Sequence, residues 1–318
     1  MRSLRSLLLA VALLAAALTV PSSAGALVIG IGDQKPDMFS SPLFASLGIT
    51  HARIAVSWDA MDTGWQRAEV DTWMNAAHAA GVQPLVGFGH ARGDRRRVLP
   101  SPSRFKYEFR LFRKRYPWVT TYATWNEANH CGEPTCHRPE LVAAYYRAMK
   151  QECPGCTILA AEMLDEPDMA GWVKAFQKHL GYRPKYWGLH NYLDANRLRT
   201  SGTKTLLRIT SGQIWFTETG GIVSRDNAAK ITFPESASHA ATATRWVFNK
   251  LVPLSPRITR VYLYQWNAVR GDNWDSGLLD PHGKPRPAMK VVSTILKKAA
   301  ARKRARAEAV ARQQSASG

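Results

Sequence analysis

Thr124-Trp125-Asn126-Glu127 closes a short apolar run that begins near Val119. About ninety residues later Gln213-Ile214-Trp215-Phe216-Thr217 ends the same way in Glu218, followed by Thr219-Gly220-Gly221. Both runs have the composition of a buried strand, so each carboxyl group would stand where a strand stops. Two such groups facing each other can act as proton donor and nucleophile, which is what cleavage of a glycosidic bond requires. That chemistry runs on side chains alone, so the pair implies no cofactor.

The two Glu can meet only if their strands are parallel neighbours in a closed or strongly curved sheet. Short apolar runs fall at residues 27–32, 52–57, 83–88, 119–125, 157–161, 186–190, 213–217 and 260–265. Between or after them lie helical stretches at 42–47, 68–80, 103–116, 139–151, 168–180, 197–210, 237–251 and 287–299. The 197–210 stretch is rich in Thr, Ser and Gly and is equally readable as a loop. Leu47-Gly48-Ile49, Ala80-Gly81-Val82 and Leu180-Gly181-Tyr182 put a glycine where a helix must stop before the next strand. Eight strand–helix units in one chain of this length predict a single-domain α/β fold, a (β/α)8 TIM barrel over residues 27–299.

In such a barrel the C-terminal ends of the strands share one mouth. Here those ends carry Asp33 and Gln34; Arg53 with Trp58 and Asp59; His90; Asn126 and Glu127; Glu162; His190, Asn191 and Tyr192; Glu218; and Gln265, Trp266 and Asn267. So many polar tips at one edge point to a carbohydrate site there. His90 and His190 fit best as hydrogen-bonded supports of that site. Metal ligation by them is disfavoured, because barrel metallohydrolases usually show a His-x-His on the first strand and this chain has Gly32-Asp33-Gln34.

Taken together, these motifs resemble clan A of the glycoside hydrolases, the retaining barrel enzymes with an acid/base Glu on strand four and a nucleophile Glu on strand seven. Trp125-Asn126-Glu127 is similar to the strand-four motif, Phe216-Thr217-Glu218-Thr219-Gly220 to the strand-seven motif and His190-Asn191-Tyr192 to the strand-six motif. The resemblance runs from about Leu27 to the final helix. Where many clan members have Pro after the acid/base Glu, this chain has Ala128. The resemblance implies double displacement on a β-glycoside, with Glu218 attacking and Glu127 as acid and then base. It further implies Asn126 on the sugar 2-hydroxyl, Arg53 and Tyr192 holding Glu218 ionised, and Trp266 stacked under the ring. A catalytically silent glycan-binding barrel is the alternative.

Arg92, Arg95, Arg96 and Arg97 in the third strand–helix loop form either a basic rim suited to an acidic glycan or a solvated charge run. Four cysteines lie as Cys131, Cys136, Cys153 and Cys156. The intervening amphipathic helix separates the two pairs by roughly 20 Å, which excludes one shared metal. That leaves Cys131 with Cys136 and Cys153 with Cys156 as disulfides in an oxidising compartment. Cys153-Pro154-Gly155-Cys156 also has the spacing of a redox dithiol, without a thioredoxin-like context.

Arg2 and Arg5, an apolar stretch from Leu7 to Val20 and small residues around Ala24 and Ala26 read as a secretory signal peptide over 1–26, too short to span a bilayer. The expected location is extracellular, and the expected form a monomer. A net charge of +19 and a pI of about 10.1 favour anionic surfaces. Part of the excess sits in residues 300–318, expected to be a disordered basic tail that could touch an anionic cell wall. No nucleic-acid recognition motif appears. Of the 11 Trp, most are expected in the core and the rest available to stack on sugars.

Overall fold

The computed structural model describes residues 27–226 and 232–316. The signal peptide expected over residues 1–26 lies outside the described residues. Nine parallel strands form one sheet: β1 (Val28–Gly32), β2 (His51–Ser57), β3 (Gln83–Gly89), β4 (Thr121–Ala123), β5 (Thr157–Leu159), β6 (Glu162–Leu164), β7 (Tyr186–His190), β8 (Gln213–Thr219) and β10 (Ile258–Tyr264). Their order is β5-β4-β3-β2-β1-β10-β8-β7-β6. The ends of that list are two halves of one interrupted strand. Between them Ala160 N donates to Tyr186 O at 2.9 Å and Glu162 N to Trp125 O at 2.9 Å, so the ring closes with eight staves. This is the (β/α)8 barrel.

The helices α1 (Pro42–Leu47), α2 (Gly64–Ala79), α3 (Pro102–Arg115), α4 (Pro139–Glu152), α5 (Met169–Leu180), α6 (Tyr192–Asn196), α7 (Ser201–Ile209), α8 (Ala237–Trp246) and α9 (Pro287–Ala316) lie between or after the strands. Their apolar faces pack against the outside of the barrel, forming the main core. Leu85, Ala123, Leu159, Trp215 and Tyr262 fill the barrel interior as a second cluster. Gly48 and Gly181 end α1 and α5 in the left-handed conformation, φ 63° and 83°, where a side chain would be strained. A two-stranded antiparallel ribbon, β9 (Ser224–Arg225) with β11 (Trp274–Asp275), joins the loops after β8 and β10.

Two stretches depart from the sequence expectation. The uncertain 197–210 segment divides. α7 starts only at Ser201, where Asp194 accepts from Gly202 N at 3.1 Å and Thr203 N at 2.7 Å and so satisfies its first turn. The basic tail expected to be disordered from residue 300 instead continues α9 to Ala316. Residues 297–312 are almost entirely Ala, Lys, Arg and Glu, strong helix formers that propagate a helix already nucleated against the barrel.

The expected disulfides are present, Cys131–Cys136 with Cα atoms 4.9 Å apart and Cys153–Cys156 at 5.4 Å. The first closes the loop after β4, the second the turn between α4 and β5. Among the described residues no helix is long and apolar enough to cross a membrane.

Candidate active site

Arg53 occupies the centre of the barrel mouth. It points inward from β2, is almost completely buried, and spends every guanidinium nitrogen on a neighbour. Nε and Nη2 donate to Glu162 Oε1 and Oε2, each at 2.6 Å, Nη1 donates to Glu218 Oε1 at 2.5 Å, and Nη2 reaches Asn126 Oδ1 at 2.7 Å. The barrel makes room for this cluster with glycines. A Cβ at Gly87 would lie 2.5 Å from Glu162 Oε2, and one at Gly188 2.7 Å from Glu162 Cγ. Burial pushes Glu162 up, but Arg53 and His190 outweigh it and bring the carboxyl down to about 2. Glu162 is therefore the ionised counter-charge that fixes Arg53, away from the cavity.

Glu218 sits on a β-bulge. Leu189 pairs with Phe216 but His190 pairs with Glu218, so β8 gains a residue at this level and its side chain turns into the mouth. Its second oxygen accepts from Tyr192 Oη at 3.1 Å. Glu127 lies just past β4 with φ 44°, a left-handed conformation that costs a non-glycine residue energy. Two backbone bonds hold that turn, Asn126 N to Phe88 O at 2.6 Å and Ala128 N to Glu162 O at 3.0 Å. One carboxylate oxygen of Glu127, one of Glu218 and a ring nitrogen of His190 all lie within 4.8 Å of one another.

His190 Nδ1 is 3.1 Å from Glu127 Oε1 and 3.8 Å from Glu218 Oε2. Burial lowers the imidazole, yet the Glu218 charge, the hydrogen bond to Glu127 and the Glu162 carboxylate 3.8 Å from Nε2 prevail and raise it to about 9. Burial likewise pushes Glu127 up, and the bond and charge of His190 reverse that, leaving it below its ordinary value. At neutral pH the pair thus holds one proton, resting mainly on the imidazole. These three groups have the spacing of a metal-ligand set, but Arg53 already neutralises Glu218 and a protonated imidazole would repel a cation.

Above the carboxylates opens a cavity of about 730 Å³ lined by Asn126, Glu127, Tyr192 and Glu218 together with Tyr264 and Trp274. Asn126, which lines this cavity, gives its carbonyl oxygen to Arg53. Trp274, on β11, meets Tyr192 edge-on with ring centroids 4.9 Å apart. Neither Tyr264 nor Trp274 was singled out by sequence. Tyr264 is the last residue of β10, two places before the Trp266 expected to line the site, and a two-residue ribbon such as β11 has no readable periodicity.

Four expected substrate residues stand outside the central cavity. Trp266 does not floor the cavity. It is buried, edge-on to Phe44 with centroids 5.5 Å apart, because the chain leaves β10 at Tyr264 and turns outward. Asp33 is a buried brace that accepts from Trp266 N at 2.9 Å and Lys35 Nζ at 2.7 Å. Trp58 is buried under the third loop, donating to Val98 O at 3.2 Å with the Arg95 guanidinium 5.3 Å from its ring centroid. His90 is held by Glu133 at 2.6 Å, and Glu133 also accepts from Trp125 Nε1 at 3.0 Å. It lines a smaller depression beside Asn126 instead of the central cavity. The arginine loop is largely paired: Arg92 with Glu69 at 2.6 Å, Arg95 with Asp59 at 2.9 Å, and Arg97 with Cys131 O at 3.4 Å.

No family model and no curated protein sequence matches this chain. Solved structures do match, with low identity. A family 39 glycoside hydrolase from Bacteroides cellulosilyticus WH2 superposes with a TM-score of 0.57 at 14% identity, over 85% of this chain and 63% of that one. This chain thus spans less than two thirds of that enzyme's length. A GH5_18 protein from Streptomyces cattleya in complex with Manb1-4GlcNAc gives 0.62 at 14% identity over 86% and 80%. GH10 from Paenibacillus barcinonensis gives 0.58 at 13% over 84% and 94%. The likeness is one of fold: the chain has the barrel architecture of clan A glycoside hydrolases.

Proposed function

We propose that this chain is a secreted retaining β-glycosidase that needs no cofactor, with Glu218 as nucleophile and Glu127 as acid and base. The observation that carries the reading is the juxtaposition of the two carboxylates within 4.8 Å of each other at the mouth, one gripped by Arg53 and Tyr192 and the other by His190. Retaining hydrolysis needs the carboxyl groups about 5 to 5.5 Å apart, whereas inversion needs room for a water between them.

In this reading the proton of the His190–Glu127 pair moves onto Glu127 as the sugar enters. Glu218 attacks the anomeric carbon, the bond to the leaving oxygen breaks, and that oxygen takes the proton. Glu127 is then an anion beside an uncharged ester. It draws a proton from water, the hydroxide displaces Glu218, and the proton returns to the pair. The Asn126 NH2 faces the 2-hydroxyl, where a hydrogen bond strengthens as the oxocarbenium-like state forms. Trp274 and Tyr264 supply the apolar faces for the ring.

Secretion is supported by the 1–26 leader pattern and by two cystine bridges. The exposed basic end of α9 suits contact with an anionic wall polymer. The test is Glu218→Ala with and without azide. Loss of turnover, restored by azide with a glycosyl azide product, is expected. Undiminished turnover in the variant, or an inverted anomer by proton NMR in the parent, removes the assignment.

A further inference from the structure

We infer that the protein cuts inside a linear neutral glycan instead of trimming its ends. The geometry points to a through-going cleft with the Glu127 and Glu218 pair in its middle and sugar positions on both sides. This rests on the glycosidase reading above and specifies its substrate.

The central cavity does not end at the carboxylates. On one flank Asn126 is shared with a depression of about 120 Å³ that runs over Gly89 toward Ser57 and Gln34. On the other, Asp165, Glu166 and Leu193 are shared with a depression of about 290 Å³ that reaches the first turns of α5 and α7. All three hollows are lined by residues at or just beyond the C-terminal ends of the strands, the smaller beside β2 and β3 and the larger beside β6 and β7.

An enzyme that releases terminal units needs a wall directly behind the sugar under attack. Beyond Asn126 no such wall stands among the described residues. Gly89 has no side chain there. The Gln34 amide lies along the edge of β2, donating to Ala55 O at 2.7 Å and accepting from Ala55 N at 2.9 Å. His90 is drawn to Glu133 at 2.6 Å and Arg92 to Glu69 at 2.6 Å. Each potential plug is tied back, and the polar groups that remain suit hydroxyl-rich sugar edges.

Chain direction follows from the chemistry. The leaving oxygen must sit at Glu127, and from Glu127 the cavity leads past Glu166 to the larger flanking hollow. The released half lies there, and the half that becomes bound to Glu218 runs past Asn126 toward Gln34. With two sugars around the scissile bond and one in each flank, the cleft spans about four units. A neutral glycan fits because the rim cations Arg92, Arg95 and Arg225 are paired with Glu69, Asp59 and Glu235, and because the larger hollow sets Asp165, Glu166 and Asp194 against Arg197 and Arg199.

The full chain should be incubated with soluble β-glucan, β-mannan and β-xylan while viscosity and reducing ends are followed together. On the polymer that is cut, viscosity should collapse early and a ladder of oligomers should appear from the first samples. A single mono- or disaccharide as the only early product, or turnover of aryl β-glycosides with every polymer left intact, overturns the proposal and leaves the glycosidase reading standing. No turnover of polymers or aryl glycosides overturns that reading itself. Ala170→Trp to fill the larger hollow and Gln34→Trp to fill the smaller, each checked by melting temperature, should lower the ratio of kcat/KM on a hexasaccharide to that on an aryl glycoside by about tenfold. An unchanged ratio in both folded variants also overturns the cleft.

Discussion

His190 donates through Nδ1 to Glu127 Oε1 at 3.1 Å, and the same nitrogen stands 3.8 Å from Glu218 Oε2. The proton that Glu127 must deliver is therefore stored one hydrogen bond away. With the imidazole raised to about 9, kcat/KM should hold through neutral pH and fall as pH rises through about 9. In His190→Asn that basic limb should move down by at least about one pH unit. A limb that stays in place would put the proton elsewhere. The same ionisation stabilises the fold in full below the ordinary value of 6.5 and is lost as pH climbs through about 9.

Removing Arg53 strands the Glu162 charge inside the barrel. Arg53→Met should cost about 3 to 5 kcal/mol at pH 7 by urea unfolding. Glu162 is depressed, so its contribution is present above its ordinary 4.5 and fades as pH falls toward about 2. The gap between parent and variant should accordingly shrink at pH 3. A gap of constant size would mean that the pair carries no net stability.

The two tryptophans near the mouth should separate cleanly. Trp266→Ala empties a packed site against Phe44 and should cost about 3 to 5 kcal/mol. Trp274→Ala should leave the melting curve within a few degrees and raise KM about tenfold, since its ring faces the cavity. The reverse pattern would return Trp266 to the sugar site.

The two disulfides close small loops of similar size, and losing either should cost about 2 kcal/mol. Only one touches the chemistry. The loop between Cys131 and Cys136 carries Glu133, which ties down His90 and Trp125 just before Glu127. Cys131→Ser with Cys136→Ser should lower kcat several-fold, whereas Cys153→Ser with Cys156→Ser should leave it unchanged. Equal effects on kcat would sink the distinction.

The barrel and its two carboxylates were legible because both are written locally: apolar runs that end in Glu, glycines after helices, and one polar residue set per strand tip. Polarity at a tip did not reveal its direction. Asp33 and Trp58 occupy tips, yet they spend their polar groups on neighbouring backbone. Glu162 reads in the sequence as one more polar strand tip. It is the start of the second half of a broken strand, and its role depends on Arg53, 109 residues away. Strand parity would carry from Tyr262 through Tyr264 to Trp266 only if the strand continued, and it stops at Tyr264. The helical extent of residues 300–316 was obscured by charge, which lowers hydropathy without lowering helix propensity.

The left-handed backbone at Glu127 implies that this position is kept for reactivity against the interest of the fold. A residue with a β-carbon costs on the order of 1 to 3 kcal/mol in that conformation, and glycine does not. Exchanging Glu127 for glycine should thus relieve the strain but give up the bond to His190 at the same time, so the melting temperature should stay near the parent's while turnover falls.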